Sequence, residues 1–225
     1  MSLQTIQRNI DSGLVLHIPF TEGVGTKVFD RSPEDNHGDI TLGLGGEAAF
    51  WLNTRDELPV GTFDGLADYV TVPDKTSLDA TVFTISAWFR TTDVTKQSPL
   101  ISKGSTSSNQ PQFFLSLSSS TLRFAARGNI GGGNTDLVNN DDNHCVLVFD
   151  EVNDYAQLYL NGVLDGEFDA PLNVINSDNE AATIGRRYFG GTIVYADGMI
   201  DDVRMYDRIL SDQEIRYLAN MRRRI

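Results

Sequence analysis

The chain has 225 residues, of which 40% are hydrophobic and 22% are charged, as is typical of a soluble globular domain long enough to bury a core. Its formal net charge of −13 argues against nucleic acid and anionic membranes as partners, because both are bound through basic surfaces. Cys145 is the single cysteine, so no internal disulfide forms, and its apolar neighbours indicate a buried strand thiol rather than a nucleophile.

The sequence carries no recognisable targeting or membrane signal. Residues 1–20 lack the basic start and apolar run of a secretory signal peptide. No stretch reaches the roughly 18 apolar residues of a membrane span, so no membrane insertion is expected. As written, the sequence indicates cytoplasmic synthesis, and it leaves open a virion component or a fragment of an extracellular protein. We expect residues 1–12 to form an N-terminal arm and residues 13–225 to form one domain.

Alternating apolar and polar side chains predict short β-strands in the first part of the chain. The first strand covers residues 14–20, where Pro19 indicates an edge or a bulge because proline cannot donate a ladder hydrogen bond. We interpret His17, within this strand, as a structural residue rather than a ligand contact. A strand over residues 68–72 follows an Asp-Gly turn at residues 64–65.

The middle of the chain continues as strands separated by turns. Residues 83–90 predict a strand, and the sequence leaves open whether the face of Trp88 is buried. Residues 112–126 predict a hairpin across a serine turn. The glycine-, asparagine- and aspartate-rich residues 129–143 predict a loop, and residues 144–149 predict a buried strand.

The last third contains a hairpin, a loop, a strand and the one clear helix. The Asn-Gly pair within residues 155–164 is a strong hairpin signal. The aromatic, glycine-bearing residues 188–197 predict a loop, and residues 199–206 alternate as a strand. Ser211 followed by Glu214 predicts a helix start with a capping box. A dozen or more short strands and a single helix argue for an all-β sandwich.

The run G-M-I-D-D-V-R-M-Y-D-R-I-L-S-D-Q-E-I over residues 198–215 resembles the C-terminal signature of the laminin G-like, concanavalin A-like superfamily, in its bacterial and phage "laminin G 3" form. Two earlier stretches are similar to that family, F-D-G-L-A-D-Y-V-T-V-P at residues 63–73 and F-T-I-S-A-W-F-R at residues 83–90. The strand that begins near His144 departs from the family because the tryptophan usual before it is missing. The resemblance covers roughly residues 14–218.

The resemblance implies an all-β, two-sheet antiparallel jelly-roll sandwich of the concanavalin A-like kind with a short C-terminal helix. This fold carries adhesion, lectin, structural and enzymatic roles alike, so the fold leaves the function open.

The resemblance also implies one structural calcium ion. Many relatives hold Ca²⁺ between an N-terminal loop and the last strand, which carries over to Asp30 and Asp201, with loop carbonyls near Gly38 completing the shell. Ca²⁺ takes six to eight oxygen ligands, and a chain without disulfides would gain stability from such a clip. The alternative is that the two aspartates cap turns or pair with neighbouring arginines, Arg31 and Arg204.

Aromatic residues near the C-terminus are the candidate ligand contacts. Sugar binding needs an exposed aromatic ring beside amide, carboxylate or guanidinium groups. Tyr188, Phe189 and Tyr195 offer such rings in the predicted loop, with Arg187 beside them. Packing within the protein is the alternative interpretation of each.

Catalysis is not expected. Glycosidases need two carboxyl groups, one of them protonated, and the E-x-D-x-E and E-x-D-x-x-E spacings of enzymatic relatives are missing. The three histidines lie in no nucleophile-elbow context.

We therefore expect a non-catalytic binding module, a lectin or adhesion domain that recognises carbohydrate or a protein surface, with a structural calcium ion. The alternative is a structural or receptor-binding component of a phage virion or adhesin, and a glycoside hydrolase is the third interpretation. The sequence leaves the ligand and the oligomeric state open, a homo-oligomer included.

Overall fold

The computed structural model describes residues 9–53, 58–104, 112–170, 179–189 and 192–221, and the statements below refer to these ranges. Their strands build two eight-stranded antiparallel sheets and a separate two-stranded hairpin. The first sheet contains β1 (Leu14–Ile18), β4 (Trp51–Asn53), β5 (Pro59–Asp64), β7 (Val82–Arg90), β12 (Asn143–Asp150), β13 (Tyr155–Leu160), β14 (Val163–Asp169) and β18 (Asp197–Tyr206).

The second sheet packs face to face with the first. It contains β2 (Lys27–Val28), β3 (Gly38–Thr41), β6 (Tyr69–Val72), β8 (Ser98–Lys103), β9 (Phe113–Ser118), β10 (Thr121–Ala126), β11 (Asn129–Gly132) and β15 (Ala182–Ile184). The hairpin pairs β16 (Arg186–Phe189) with β17 (Thr192–Tyr195). This arrangement confirms the predicted all-β, two-sheet antiparallel sandwich.

Helical segments are short. The predicted C-terminal helix is α2 (Asp212–Asn220), and the structure adds α1 (Gly46–Phe50) and a 3₁₀ turn (Thr76–Leu78), which the sequence did not predict. The sequence did not indicate α1 because three glycines precede or begin it, and glycine disfavours helix formation. Among the described residues, every helix is too short or too polar to cross a membrane.

The hydrophobic core lies between the two sheets. From β7, Phe83 and Ile85 point into this core, as alternation requires. Trp88 points to the opposite face of β7, where it is 3% exposed and packs with Val60 and Met199. Both faces of β7 are therefore buried, which answers the question that the sequence left open at Trp88.

The helix α2 covers part of the outer face of the first sheet. Ile215 and Leu218 belong to a second apolar cluster that includes Val146 of β12 and Tyr206 of β18. Ile10 is buried in the same cluster. Apolar side chains therefore fix the helix on the sheet, since a nine-residue helix has little stability of its own.

The predicted capping box starts α2 as expected. The Ser211 hydroxyl accepts a hydrogen bond from the Glu214 backbone N–H, and the Glu214 carboxylate accepts one from the Ser211 backbone N–H at 2.8 Å. Arg208 donates to the same carboxylate at 2.8 Å and to the carbonyls of Asn9 and Ser12. The end of the predicted arm is thus fastened to the domain, while residues 1–8 lie outside the described residues.

A β-bulge interrupts β18. Residues 197–200 pair with β5, whereas residues 203–206 pair with β1. The register shifts between these halves, and Asp202 there adopts a left-handed backbone with φ of 49°. Ile200 and Val203, three residues apart, consequently both face the core. The uninterrupted alternation predicted for this strand is therefore wrong across the bulge.

Two segments predicted as loops contain strands. Residues 129–132 form β11, which pairs with β10, and residues 186–189 and 192–195 form the β16–β17 hairpin. Glycine permits the pairing of β11, because a Cβ at Gly131 would lie 2.3 Å from the ring of Phe124. A glycine-rich composition is typical of loops, but glycine also occurs in strands whose backbone lies close to a neighbouring side chain.

The Asn-Gly hairpin is confirmed. Asn161 and Gly162 connect β13 to β14 with φ values of 53° and 79°, as a tight two-residue turn requires.

Candidate functional site: two adjoining grooves beside the C-terminal hairpin

The β16–β17 hairpin presents two different faces. Residues directly opposite each other in an antiparallel pair share a face. Arg186 pairs with Tyr195 and Tyr188 pairs with Ile193, so these four side chains lie on one face, while Arg187 lies on the other. The predicted ligand residues are therefore divided between the two faces.

Arg187 is directed into the protein. It is 6% exposed, its guanidinium lies 4.5 Å from the ring centroid of Phe114, and its Nη2 donates to the Gln97 side chain at 3.0 Å. Burial lowers the pKa of this arginine. In this position Arg187 anchors the hairpin to the second sheet, and its buried state argues against the predicted ligand contact.

The aromatic residues of the hairpin occupy separate places. Tyr195 packs against Tyr69 at a ring-centroid distance of 6.1 Å, and the Arg186 guanidinium lies 3.9 Å from the Tyr69 centroid. Tyr188 lines a small cleft of about 110 Å³. The side chain of Phe189 lies outside what the structure describes, so its predicted contact stays a prediction. Tyr195 is therefore held in place by packing against Tyr69, which also contacts Arg186.

A groove of about 450 Å³ runs between the hairpin and the turn after β5, and we call it the hairpin groove. It is lined by Asp64, Leu66, Lys96, Gln97, Ile193 and Tyr195, with Asp197 at one end. Of the residues predicted from sequence to contact a ligand, Tyr195 lines this groove. The other lining residues come from turns that the sequence located without indicating that they converge.

A second groove of about 390 Å³ adjoins the first, and we call it the polar groove. Its lining includes Asn53, Thr62, Thr91, Thr92, Asn140 and Met199. Asp197 lines both grooves, so the two meet at this residue. Arg90 completes the polar groove at the end of β7. No sequence pattern indicated this groove, because its residues lie on separate strands and loops that are far apart in the chain.

Charged groups in both grooves are paired within the protein. Lys96 forms an ion pair with Asp197, which raises the pKa of that exposed lysine. Arg90 donates to the Asp142 carboxylate at 3.3 Å. Each cation therefore already has a carboxylate partner beside the grooves.

Asp64 holds the turn that borders the hairpin groove. Its Oδ1 accepts hydrogen bonds from the backbone N–H groups of Leu66, Ala67 and Asp68. Burial alone would raise the pKa of Asp64, but these hydrogen bonds outweigh it and hold the pKa below its ordinary value. The aspartate therefore stays ionised and keeps the turn in place.

The predicted calcium ligand Asp30 has its carboxylate occupied by protein donors. Its Oδ1 accepts from the backbone N–H groups of His17 at 2.7 Å and Ser32 at 2.9 Å. Its Oδ2 accepts from the Ser32 hydroxyl at 2.6 Å and the Asn36 N–H at 2.7 Å. Gly38 lies in β3, paired with β2. Four donors on one carboxylate do not fit a calcium ligand.

Asp201, the other predicted calcium ligand, is fully buried opposite Trp88. Its neighbour Asp202 instead faces β1, where it contacts His17 Nε2 at 2.7 Å and accepts from Arg204 at 3.0 Å. The N-terminal strand and the last strand are thus tied together by protein groups. Within the described ranges, no group of three or more His, Cys, Asp or Glu side chains could hold a metal ion. Calcium stays a prediction that this arrangement does not favour.

Several solved structures share the fold. The binding domain of botulinum neurotoxin serotype D superposes with a TM-score of 0.67 at 12% identity, over 95% of this chain and 53% of that chain. The binding domain of Paraclostridial Mosquitocidal Protein 1 gives a TM-score of 0.69 at 16% identity, over 94% and 53%. A structure of botulinum neurotoxin type C, whose cell entry is dependent upon interaction with two ganglioside molecules, gives 0.65 at 15%, over 96% and 52%.

The structural likenesses concern the fold, and the sequence identifies the family. The chain spans about half the length of the toxin structures, and at such low identities the likeness shows the fold alone. No curated protein sequence matches the chain. The profile of the Laminin G 3 family matches residues 61–216, which is more than half of the sequence. The chain therefore belongs to the Laminin G 3 family of the concanavalin A-like lectin/glucanases superfamily.

Proposed function

We propose that the chain is a non-catalytic binding module that recognises carbohydrate in the hairpin groove. The observation that carries the proposal is the set of side chains there, in which the Tyr195 ring stands beside the Gln97 amide and the Asp64 and Asp197 carboxylates. An apolar ring can pack on the C–H face of a sugar while amides and carboxylates bind its hydroxyls. A groove of about 450 Å³ also lies within the range of about 300–1,000 Å³ usual for small-ligand sites.

The acidic groups at the groove support binding without hydrolysis. A glycosidase keeps one carboxyl group protonated to act as general acid. The pKa of Asp64 is lowered, and Asp197 is ion-paired with Lys96. Burial raises the pKa of Asp68, but Asp68 is 3% exposed and its two oxygens accept the N–H groups of Gly43 and Asp64. A substrate would not reach that carboxyl group.

A protein surface is the second candidate ligand. Leu66 and Ile193, on the rim of the hairpin groove, are 65% and 48% exposed. Exposed aliphatic side chains beside a groove suit the contact with a protein, in which apolar groups are buried at the centre of the interface. A virion or adhesin component would bind through such a surface.

A glycan array probed with the protein tests the proposal, once in calcium and once in EDTA. We expect binding in both conditions, since the hairpin groove needs no metal ion. Tyr195→Ala should lower affinity by about tenfold, which corresponds to about 1.4 kcal/mol. Tyr195→Phe keeps the ring and should bind like the unaltered protein, which separates ring packing from the role of the hydroxyl.

Four outcomes would contradict parts of the proposal. Equal binding by Tyr195→Ala would remove the ligand from the hairpin groove. Absence of binding to every glycan on the array would favour a protein surface as the ligand. A pull-down that compares the unaltered protein with Leu66→Asp and Ile193→Asp would then test that candidate. Release of reducing ends from a bound glycan would contradict the absence of catalysis. Binding lost in EDTA would restore the calcium prediction.

A further inference from the structure

We infer that the ligand is a neutral oligosaccharide chain that lies across both grooves, rather than an acidic glycan or a single sugar. The inference rests on the proposed function and adds the charge and the length of the ligand. It is carried by three features of the described residues: the chemistry of the polar groove, the pairing of the nearby cations and the junction at Asp197.

The polar groove combines neutral hydrogen-bonding groups with apolar surface. Five of its residues carry an amide or a hydroxyl, namely Asn53, Thr62, Thr91, Thr92 and Asn140. Amides and hydroxyls both donate and accept hydrogen bonds, which matches the hydroxyls of a neutral sugar. Asn53, Thr92 and Asn140 are exposed and can reach a ligand, whereas the Thr62 hydroxyl is buried. Phe63 and Met199 add apolar surface between these groups.

The cations beside the grooves each have a carboxylate partner within the protein. Arg90 is paired with Asp142 and Lys96 with Asp197, and Asp64 adds a further ionised carboxylate. A carboxylated, sialylated or sulfated sugar would have to approach these carboxylates as well as the cations. The formal net charge of −13 also makes the field around the chain repel anions. A neutral ligand avoids both costs.

The junction at Asp197 argues for an extended ligand. Asp197 lines both grooves, and each groove alone is large enough for a small ligand. A ligand that fills only one groove leaves the hydrogen-bonding groups of the other to water. A chain of several sugar units can occupy both grooves, passing the Lys96–Asp197 ion pair, which would bind hydroxyls at the junction.

An array of neutral and acidic glycans tests the inference. The neutral probes are oligosaccharides of glucose, mannose, galactose, xylose and N-acetylglucosamine, each from the disaccharide to the hexasaccharide. The acidic probes are uronate oligomers of the same lengths together with sialylated and sulfated glycans. We expect signal from neutral probes alone, with a hexasaccharide bound at least tenfold more tightly than its disaccharide.

Variants in each groove locate the ligand. Thr92→Val and Asn140→Gly should each weaken the hexasaccharide several-fold and leave the disaccharide that binds in the hairpin groove unchanged. Glycine suits residue 140 because Asn140 has a φ of 64°. Thr192→Val, on the exposed part of the hairpin outside both grooves, is the matched control and should bind normally. Asp197→Asn removes the partner carboxylate of Lys96 and should allow uronate oligomers to bind.

The outcomes separate this inference from the proposed function. Binding of acidic probes by the unaltered protein, or equal affinity for disaccharide and hexasaccharide, would overturn the inference while leaving a carbohydrate-binding module. Normal hexasaccharide binding by both Thr92→Val and Asn140→Gly would exclude the polar groove. Silence from every probe would overturn the inference together with the carbohydrate proposal.

Discussion

His144 predicts how stability depends on pH. Its side chain is buried in β12, its ring centroid lies 5.2 Å from that of Trp88, and its Nδ1 has no hydrogen-bond partner among the described residues. Burial lowers the pKa of His144 from 6.5 to about 4, although the Asp202 carboxylate opposes this and Arg204 reinforces it. The folded protein therefore keeps this imidazole neutral at pH values where an unfolded chain protonates it.

The direction and size of the effect follow from this pKa difference. As the pH falls from 6.5 towards 4, the unfolded state binds a proton that the folded state does not, so the free energy of unfolding decreases. At 1.36 kcal/mol for each pKa unit, the loss reaches about 3 kcal/mol at the acid end, and about 2 kcal/mol is lost between roughly pH 7.5 and pH 5. For a chain of 225 residues, 2 kcal/mol lowers the melting temperature by about 4–8 °C.

Urea denaturation at a series of pH values measures this loss, with the free energy of unfolding obtained by linear extrapolation. His144→Gln should remove about 2 kcal/mol of the difference between the two pH values, whatever it does to stability at neutral pH. Thr192→Val, on the exposed part of the hairpin, changes no titratable group and is the control, which should keep the pH dependence of the unaltered protein. An unchanged slope in His144→Gln would refute the reasoning, since the titrating group would then lie elsewhere.

Three further predictions concern the supports of the fold. Asp202→Asn should lower the free energy of unfolding by about 3 kcal/mol, because it leaves buried Arg204 without its charge partner. Asparagine tolerates the left-handed backbone at this position. Chemical denaturation measures the loss, and a change below about 1 kcal/mol would contradict the prediction. Ser211→Ala should cost about 1 kcal/mol by removing the capping box of α2, with Ser211→Thr as the control that keeps the cap. EDTA should leave the melting temperature unchanged within about 1 °C, because the Asp30 carboxylate already accepts four protein donors and Asp201 is fully buried. A clear fall would show that calcium is structural.

Local signals predicted local structure well. The capping box of Ser211 and Glu214 and the Asn161-Gly162 turn each depend on residues a few positions apart, so the sequence contains all the information they need. The strands β11 and β16 were missed although each pairs with a segment next to it in the sequence, because their residues lie in stretches with the composition of a loop. Glycine and asparagine suggest loops by composition, and only the contact of Gly131 with Phe124 shows why the chain can pair there.

The candidate site was less predictable than the fold. Tyr195 could be singled out as an aromatic residue near a glycine, but nothing in the sequence places Gln97 and Asp64 around it or Asn140 in the adjoining polar groove. These residues follow different strands, and they meet because the strands end on the same side of the sandwich. Arg187 was singled out from the sequence but does not line either groove. The alternation of side chains in the hairpin directs it towards Phe114 rather than towards solvent.

The bulge in β18 explains why one strand can serve two purposes. Its first half, paired with β5, ends at Asp197 and Gly198 in the grooves, while its second half, paired with β1, lies beneath α2. The His17–Asp202–Arg204 contacts lie where the two halves meet and fix the second half to the N-terminal strand. The contacts that fix the second half therefore lie apart from the residues of β18 that line the grooves. By this reasoning Asp202→Asn, although destabilising, should leave the glycan affinity of the folded protein unchanged, whereas Asp197→Asn should alter affinity with little effect on stability.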